Sequence, residues 1–242
     1  MIERQIDIPT PDGATTTFIV HPDRGGPHPP ILFFMDAPAI REELRDMARR
    51  LASGGYYVML PNLYYRAGVM EIGPLGDAKV RERMFELMNG LSIDMVMADA
   101  GALIAHLDAD PAARAGTIGT LGYCMSGQFA INAAASYPTR VAAAASMYGT
   151  FLVTDLANSP HKVAHATKAE LYFGCAETDR WAPMETVEAL AASVKSLGDR
   201  AEVELYPGVE HGFAFPQRPA YDKPAAETHW QRLMALYRRN LG

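Results

Sequence analysis

Short apolar runs alternate with longer amphipathic segments along the chain, a pattern that predicts an α/β protein with a mostly parallel sheet. Two early runs, RQIDI and TTTFIV, flank PTPDGA, whose Pro, Asp and Gly predict a hairpin turn. The unbroken run ILFFM suits a strand buried on both faces. Ile40, Leu44, Met47, Ala48 and Leu51 then recur at helical spacing, and Gly54 and Gly55 stop that helix before the strand YYVML. Two amphipathic helices are predicted around 77–89 and 92–107, after a loop-like PNLYYRAGVMEIGPLGD. The strand TIGTLGY, a small-residue helix after Cys124, the strand VAAAASMYG, a loop from about 150 to 166 and the strand AELYFGC come next. A helix opening at Pro183 and closing before Gly198, the strand AEVELYPG, and a last helix with Trp230, Leu233 and Tyr237 on one face complete the series. No linker separates two domains, so residues 1–242 read as one.

Composition narrows the classes. With 49% apolar and 21% charged residues, the chain has material for a substantial core. A net charge of −6 and no dense Lys/Arg patch argue against nucleic acid or an anionic membrane as partner. MIERQIDIPTPDG has no apolar core of a signal peptide, and no apolar run approaches the roughly 18 residues that span a bilayer. Two cysteines make no disulfide framework, and no Cys/His cluster has zinc spacing. The expectation is a cytoplasmic protein with neither metal nor cofactor, monomeric or a small homo-oligomer.

One of those cysteines lies in GYCMSG, between a strand and a helix. A tight strand-to-helix turn that holds a nucleophile crowds the residues two before and two after it, so both must be small. Around Cys124 these are Gly122 and Ser126. Around Ser126 they would be Cys124 and Gln128, and Gln128 is too large. Such a turn also sets the thiol at a helix N-terminus, where the dipole favours a thiolate. Taken alone, Cys124 reads equally well as a small residue packing a glycine-rich corner.

Downstream residues tip that balance. A cysteine nucleophile needs a base, and the base an orienting acid. Glu177 and Asp179 follow one strand in AETDRWAP, and His211 follows the next in YPGVEHGFAF, giving the order nucleophile, acid, histidine. Loops at the C-terminal ends of parallel strands are where open α/β sheets bind ligands. Asp179, four residues before Pro183, is preferred as the acid, with Glu177 as the alternative. His21, His28, His161 and His165 are placed in polar loops, His106 and His229 on helix surfaces, and Cys175 in the core.

Across ILFFMDAPAIREELRDMARRLASGGYYVMLPNLYYR, GYCMSG, ETDRWAP and EHGFAF the chain resembles the dienelactone hydrolases, the cysteine branch of the α/β-hydrolases. The resemblance implies an α/β-hydrolase fold without a large lid, and a triad of Cys124, Asp179 and His211. It further implies an oxyanion hole from the backbone N–H groups of Met125 and Ala37. Where the family has a glutamate that modulates the thiol, this chain has Asp36, one methylene shorter. Of two arginines that hold the dienelactone carboxylate, Arg81 stands where the first is expected and Phe215 where the second belongs. Phe215 cannot pair with a carboxylate, which points to a less acidic or more apolar substrate. Tyr64 and Trp181, with Phe215, are candidates for lining such a pocket. The implied reaction is hydrolysis of a small-molecule ester or lactone through a thioester. The alternatives are a broader carboxylesterase or thioesterase, a non-catalytic small-molecule-binding protein of the same fold, and a redox-sensing cysteine.

Overall fold

The turn at Pro11 and Asp12 behaves as its residues predict. Strands β1 (Ile2–Thr10) and β2 (Gly13–His21) pair antiparallel, from Ile2 opposite His21 to Thr10 opposite Gly13. The computed structural model describes every residue from Met1 to Gly242, and the chain divides into two units, Met1–Gly116 and Thr117–Gly242.

In the first unit the strand order is β1-β2-β4-β3, with β3 (Pro30–Phe34) parallel and β2 antiparallel to β4 (Tyr57–Pro61). Every residue of β3 and β4 is buried, as expected of apolar runs covered on both faces. Helix α1 (Glu42–Ser53) turns Leu44, Met47, Ala48 and Leu51 inward and ends at Gly54. Helices α2 (Ala78–Asn89) and α3 (Ile93–Ala109) start where polar caps stand ready. Asp77 accepts the Lys79 amide at 2.8 Å and Ser92 the Met95 amide at 3.2 Å. One buried charge ties α3 to the chain before it. Asp99, 1% exposed, accepts from the Tyr65 hydroxyl at 2.8 Å and from both Nη atoms of Arg66 at 2.8 and 2.9 Å. Arg66 Nη2 also reaches Asp12, in the hairpin turn, at 2.7 Å.

The second unit orders its strands β5 (Ile118–Tyr123), β6 (Val141–Met147), β7 (Glu170–Thr178) and β8 (Ala201–Glu210), all parallel. Helix α4 (Gly127–Ser136) packs on β5 and β6. The loop expected at 150–166 holds a single turn, α5 (Pro160–Val163), and a 3-10 turn at Ala164–Ala166. Segments that short carry no readable helical period. Helix α6 (Met184–Val194) packs on β7 and β8, with Pro183 as its cap rather than its first residue. Strand β7 continues three residues past Cys175, because its pairing with β8 resumes after an irregularity and sets Thr178 opposite Glu210.

Helix α7 (Lys223–Leu241) lies against β5, β6 and β7 and buries Trp230, Leu233 and Tyr237 as expected. It also buries His229 completely, which corrects the expected surface position. His229 stands four residues before Leu233 and eight before Tyr237, so the apolar face simply includes it. Because the four strands are parallel, the residues that follow them, Cys124, Tyr148, Asp179 and His211, emerge along one edge. No single helix is long and apolar enough to cross a membrane.

Replacing Arg66 with Met removes the guanidinium from a carboxylate that stays buried. The expected loss is about 3 kcal/mol of unfolding free energy in a urea titration, with Asp99→Asn in the same background recovering part of it.

Candidate active site

Strand β5 passes into a 3-10 turn, Cys124–Ser126, and then into α4. The reversal is so tight that a Cβ on Gly122 would stand 1.9 Å from the Ser126 carbonyl oxygen. Cys124 itself occupies the left-handed region at φ 53, rare for a residue with a side chain. Its carbonyl accepts the Thr150 amide at 3.0 Å, so the loop after β6 straps the turn from outside. The thiol is free and partly exposed. Met125, whose N–H is the first past the thiol, has a buried side chain, and its carbonyl accepts from Gln128 Nε2 at 3.0 Å.

The candidate acid and base come from the next two loops. Asp179 is 6% exposed and fully engaged. One carboxylate oxygen accepts the Trp181 and Ala182 amides at 2.8 and 3.2 Å, and the other lies 2.7 Å from His211 Nδ1. The His211 amide donates to the Thr178 carbonyl at 3.2 Å, so the two loops are stitched together by backbone as well. Glu177, the alternative acid, is exposed and accepts the Gly208 amide at 2.7 Å.

With Nδ1 on Asp179, Nε2 is the ring nitrogen left for Cys124. Burial alone would push the imidazole pKa down. The hydrogen bonds and charges of Asp179 and Cys124 outweigh burial and raise it to about 9. The second thiol, Cys175, is buried, and burial, with the charge of Asp179, pushes it up to about 12. It is an inert core residue.

A cluster of rings that the sequence did not disclose supports these groups. Tyr148, at φ 36, sets its ring edge-on to His211 with centroids 4.9 Å apart, and packs on Phe213 and Tyr123. Tyr123, the residue before the thiol, lies 2.8 Å through its hydroxyl from His229 Nε2. His229 Nδ1 bonds the Ala226 carbonyl and must be its donor, so Nε2 is the acceptor and Tyr123 donates. The helical spacing of His229 was the available signal for this pair.

The remaining expected residues are placed as follows. Phe215 was expected against the substrate. It has no exposed surface and packs edge-on to Tyr123 at 5.3 Å, with the Arg218 guanidinium 4.9 Å from its ring. A ring with no exposed surface packs the core instead of facing a ligand. Arg81 lies in the first turn of α2, where Nη1 donates to the Leu75 and Gly76 carbonyls at 2.7 and 2.9 Å. Trp181 is 42% exposed. In the first unit, Tyr64 is buried and its hydroxyl donates to the Ala37 carbonyl at 2.9 Å. The Asp36–Ala37 peptide is pinned too, since its carbonyl accepts the Ala39 amide at 3.1 Å. Asp36 is fully buried and accepts from Arg41 Nη1 and Nη2 at 2.6 and 3.2 Å. Arg41 also bonds Glu43 at 2.7 Å, so one guanidinium serves two buried carboxylates.

Known proteins bear on this arrangement. A model of the dienelactone hydrolase family matches residues 15–241. A protein of Methylorubrum extorquens provisionally named carboxymethylenebutenolidase is 28% identical over 99% of this chain and 81% of its own. An Escherichia coli protein of the same provisional name is 27% identical over 88% and 78%. The crystal structure of a provisionally named dienelactone hydrolase from Klebsiella pneumoniae superposes with a TM-score of 0.86, at 25% identity over 98% of both chains. A dienelactone hydrolase-like promiscuous phosphotriesterase from metagenomic libraries shares the fold, with a TM-score of 0.81 at 17% identity.

Two outcomes follow from the geometry. Gly122→Ala is expected to lose about 3 kcal/mol of stability or more, read by denaturant titration, because backbone and not a flexible side chain opposes the new methyl. His211 has a folded pKa of about 9, above its ordinary 6.5. Its contribution is therefore complete below about pH 6.5 and disappears as pH rises through about 9. The stability gap between wild type and His211→Asn should accordingly narrow between pH 7 and pH 10.

Proposed function

The chain belongs to the dienelactone hydrolase family and is a hydrolase of carboxylic esters or lactones, and from that premise we propose that Cys124, His211 and Asp179 act as nucleophile, acid–base and orienting carboxylate. The observation that carries this reading is His211 Nδ1 bonded to Asp179 at 2.7 Å, with Cys124 near enough for its charge to help raise the imidazole pKa. An imidazole with a pKa of about 9 holds its proton at neutral pH, and the reaction is read as starting from that imidazolium beside Cys124.

The sulfur of Cys124 attacks the ester carbonyl carbon, and the carbonyl electron pair moves onto oxygen. The Met125 N–H is one donor to that oxyanion, and the family resemblance supplies the Ala37 N–H as the other. As the tetrahedral species collapses, His211 Nε2–H gives its proton to the departing alkoxide, leaving a thioester on Cys124. Water then loses a proton to Nε2 and attacks the thioester, which releases the acid and restores the pair. Asp179 keeps Nδ1 protonated throughout, so that Nε2 alone exchanges protons.

A neutral ester or lactone suits the surroundings best, as a carboxylesterase would take. Phe215 stands where a second carboxylate-binding arginine is expected, and Arg81 bonds carbonyls of its own loop. One observation favours the acidic, dienelactone-like reading instead. Arg218 stacks over Phe215 and lies against Gly212, where a Cβ would be 3.1 Å from its Cδ. That brings a cation to the turn beside His211.

Hydrolysis of p-nitrophenyl acetate and of dienelactone by wild type, Cys124→Ala and Asp179→Asn tests the assignment. Cys124→Ala is expected to lose at least about a thousand-fold in kcat, and Asp179→Asn about a hundred-fold or more through the wrong imidazole tautomer. A slow ester should leave its acyl group on the Cys124 peptide, read by mass spectrometry. Hydrolysis retained in Cys124→Ala would refute the assignment. Efficient turnover of dienelactone that collapses in Arg218→Gln would select the acidic reading.

A further inference from the structure

The loop after β6 holds an aromatic residue in a doubly unfavourable state. Phe151 lies in the left-handed region at φ 57, which a side chain disfavours and glycine accepts freely. The residue is 48% exposed, so it also forgoes about half of the gain from burial. Yet the loop is tightly held on both sides. The Tyr148 amide donates to the Gly174 carbonyl at 2.6 Å, the Thr150 amide to Cys124 at 3.0 Å, and the His161 amide to the Leu152 carbonyl at 3.0 Å. Leu152 itself is buried. Nothing in this packing calls for a phenyl ring at 151, and strained residues of this kind concentrate where ligands are held.

A second exposed aromatic leaves the neighbouring strand end. Trp181 follows β7, which pairs with β6 in register Met147 opposite Gly174. Its backbone amide is bonded to Asp179, while its ring is 42% exposed with the Arg180 guanidinium 4.6 Å above it. Each ring is thus tied by backbone to a member of the triad, Phe151 through its neighbour Thr150 to Cys124, and Trp181 directly to Asp179. Both residues keep exposed surface on loops bonded to Cys124 and Asp179.

We infer that Phe151 and Trp181 are specificity-determining residues, apolar walls for the acyl group of the substrate, and that the enzyme selects esters with an extended apolar acyl chain. The acyl group is the part that stays on Cys124 through both half-reactions, so walls anchored beside Cys124 and Asp179 act in both. This rests on the triad reading given under Proposed function.

The test compares p-nitrophenyl acetate with p-nitrophenyl hexanoate, which share a leaving group, in wild type, Phe151→Gly and Trp181→Ala. Wild type is expected to favour hexanoate by about ten-fold in kcat/KM, carried mainly by KM. Each variant should shrink that ratio to about three-fold or less. Phe151→Gly relaxes the backbone, so its melting temperature should equal or exceed wild type, which separates loss of the ring from loss of the fold. An unchanged hexanoate-to-acetate ratio in both variants, or an equal loss on both esters, overturns the inference.

A second readout needs no catalysis. Cys124→Ala protein is titrated with 4-phenylbutan-2-one, a neutral ketone that cannot be hydrolysed. Trp181 emission should shift to the blue, since Trp230, the other tryptophan, is already buried. The shift should vanish in Trp181→Phe and weaken in Phe151→Gly. Absence of any shift counts against the walls even if the esters are hydrolysed. A clear shift in a protein that hydrolyses neither ester keeps the walls and rejects the triad.

Discussion

The contact between Gly122 and the Ser126 carbonyl is the constraint on which the site depends. No side chain of any size fits at 122, since even a methyl carbon would stand 1.9 Å from that oxygen. Only so close an approach lets a strand turn into a helix within the three residues Cys124–Ser126. The same crowding recurs one layer out, where a Cβ on Gly127 would lie 2.6 Å from the Gly149 Cα. Cys124 is driven into the left-handed region, and its carbonyl accepts the Thr150 amide as well as the Gly127 amide that closes the 3-10 turn. The thiol is therefore partly exposed at a fixed place without any flexible segment to deliver it.

The two thiols of this chain show how environment divides one chemistry into two roles. Cys175 lies within β7, buried, and its charged form is opposed by burial and by Asp179. Cys124 lies just beyond β5, and its charge together with Asp179 raises the pKa of the His211 imidazole. Three hydrogen bonds meet the two oxygens of buried Asp179, two of them from backbone amides that cannot move away. The carboxylate is thus held in place against His211 by bonds that do not depend on any flexible side chain.

Aromatic packing connects these parts into one body within the second unit. His229 on α7 holds the Tyr123 hydroxyl, Tyr123 precedes Cys124, and its ring meets Tyr148 and Phe215. Tyr148 in turn stands edge-on to His211. Displacing α7 would thus be felt at the base through two rings. Phe215 illustrates the same economy of place. Four residues after His211, it fills the space under the histidine loop, and the neighbouring arginine stacks on it from outside.

Much of this was legible in the chain itself. Apolar runs mark all eight strands, helical spacing marks four of the seven helices, Pro183 and Gly198 bracket a fifth, the position after Cys124 marks the small-residue helix, and the small neighbours of Cys124 single it out. The order of cysteine, carboxylates and histidine followed from the loops in which they stand. Local spacing reads these features because they depend on residues a few positions apart. Tertiary structure decided the rest: that Asp179 and not Glu177 meets His211, that Phe215 is core, that His229 is buried on Tyr123, and that Phe151 is strained and exposed. Each of these turns on which surfaces meet across more than thirty residues of chain or on a single backbone angle, and a pattern of apolar and polar positions records neither.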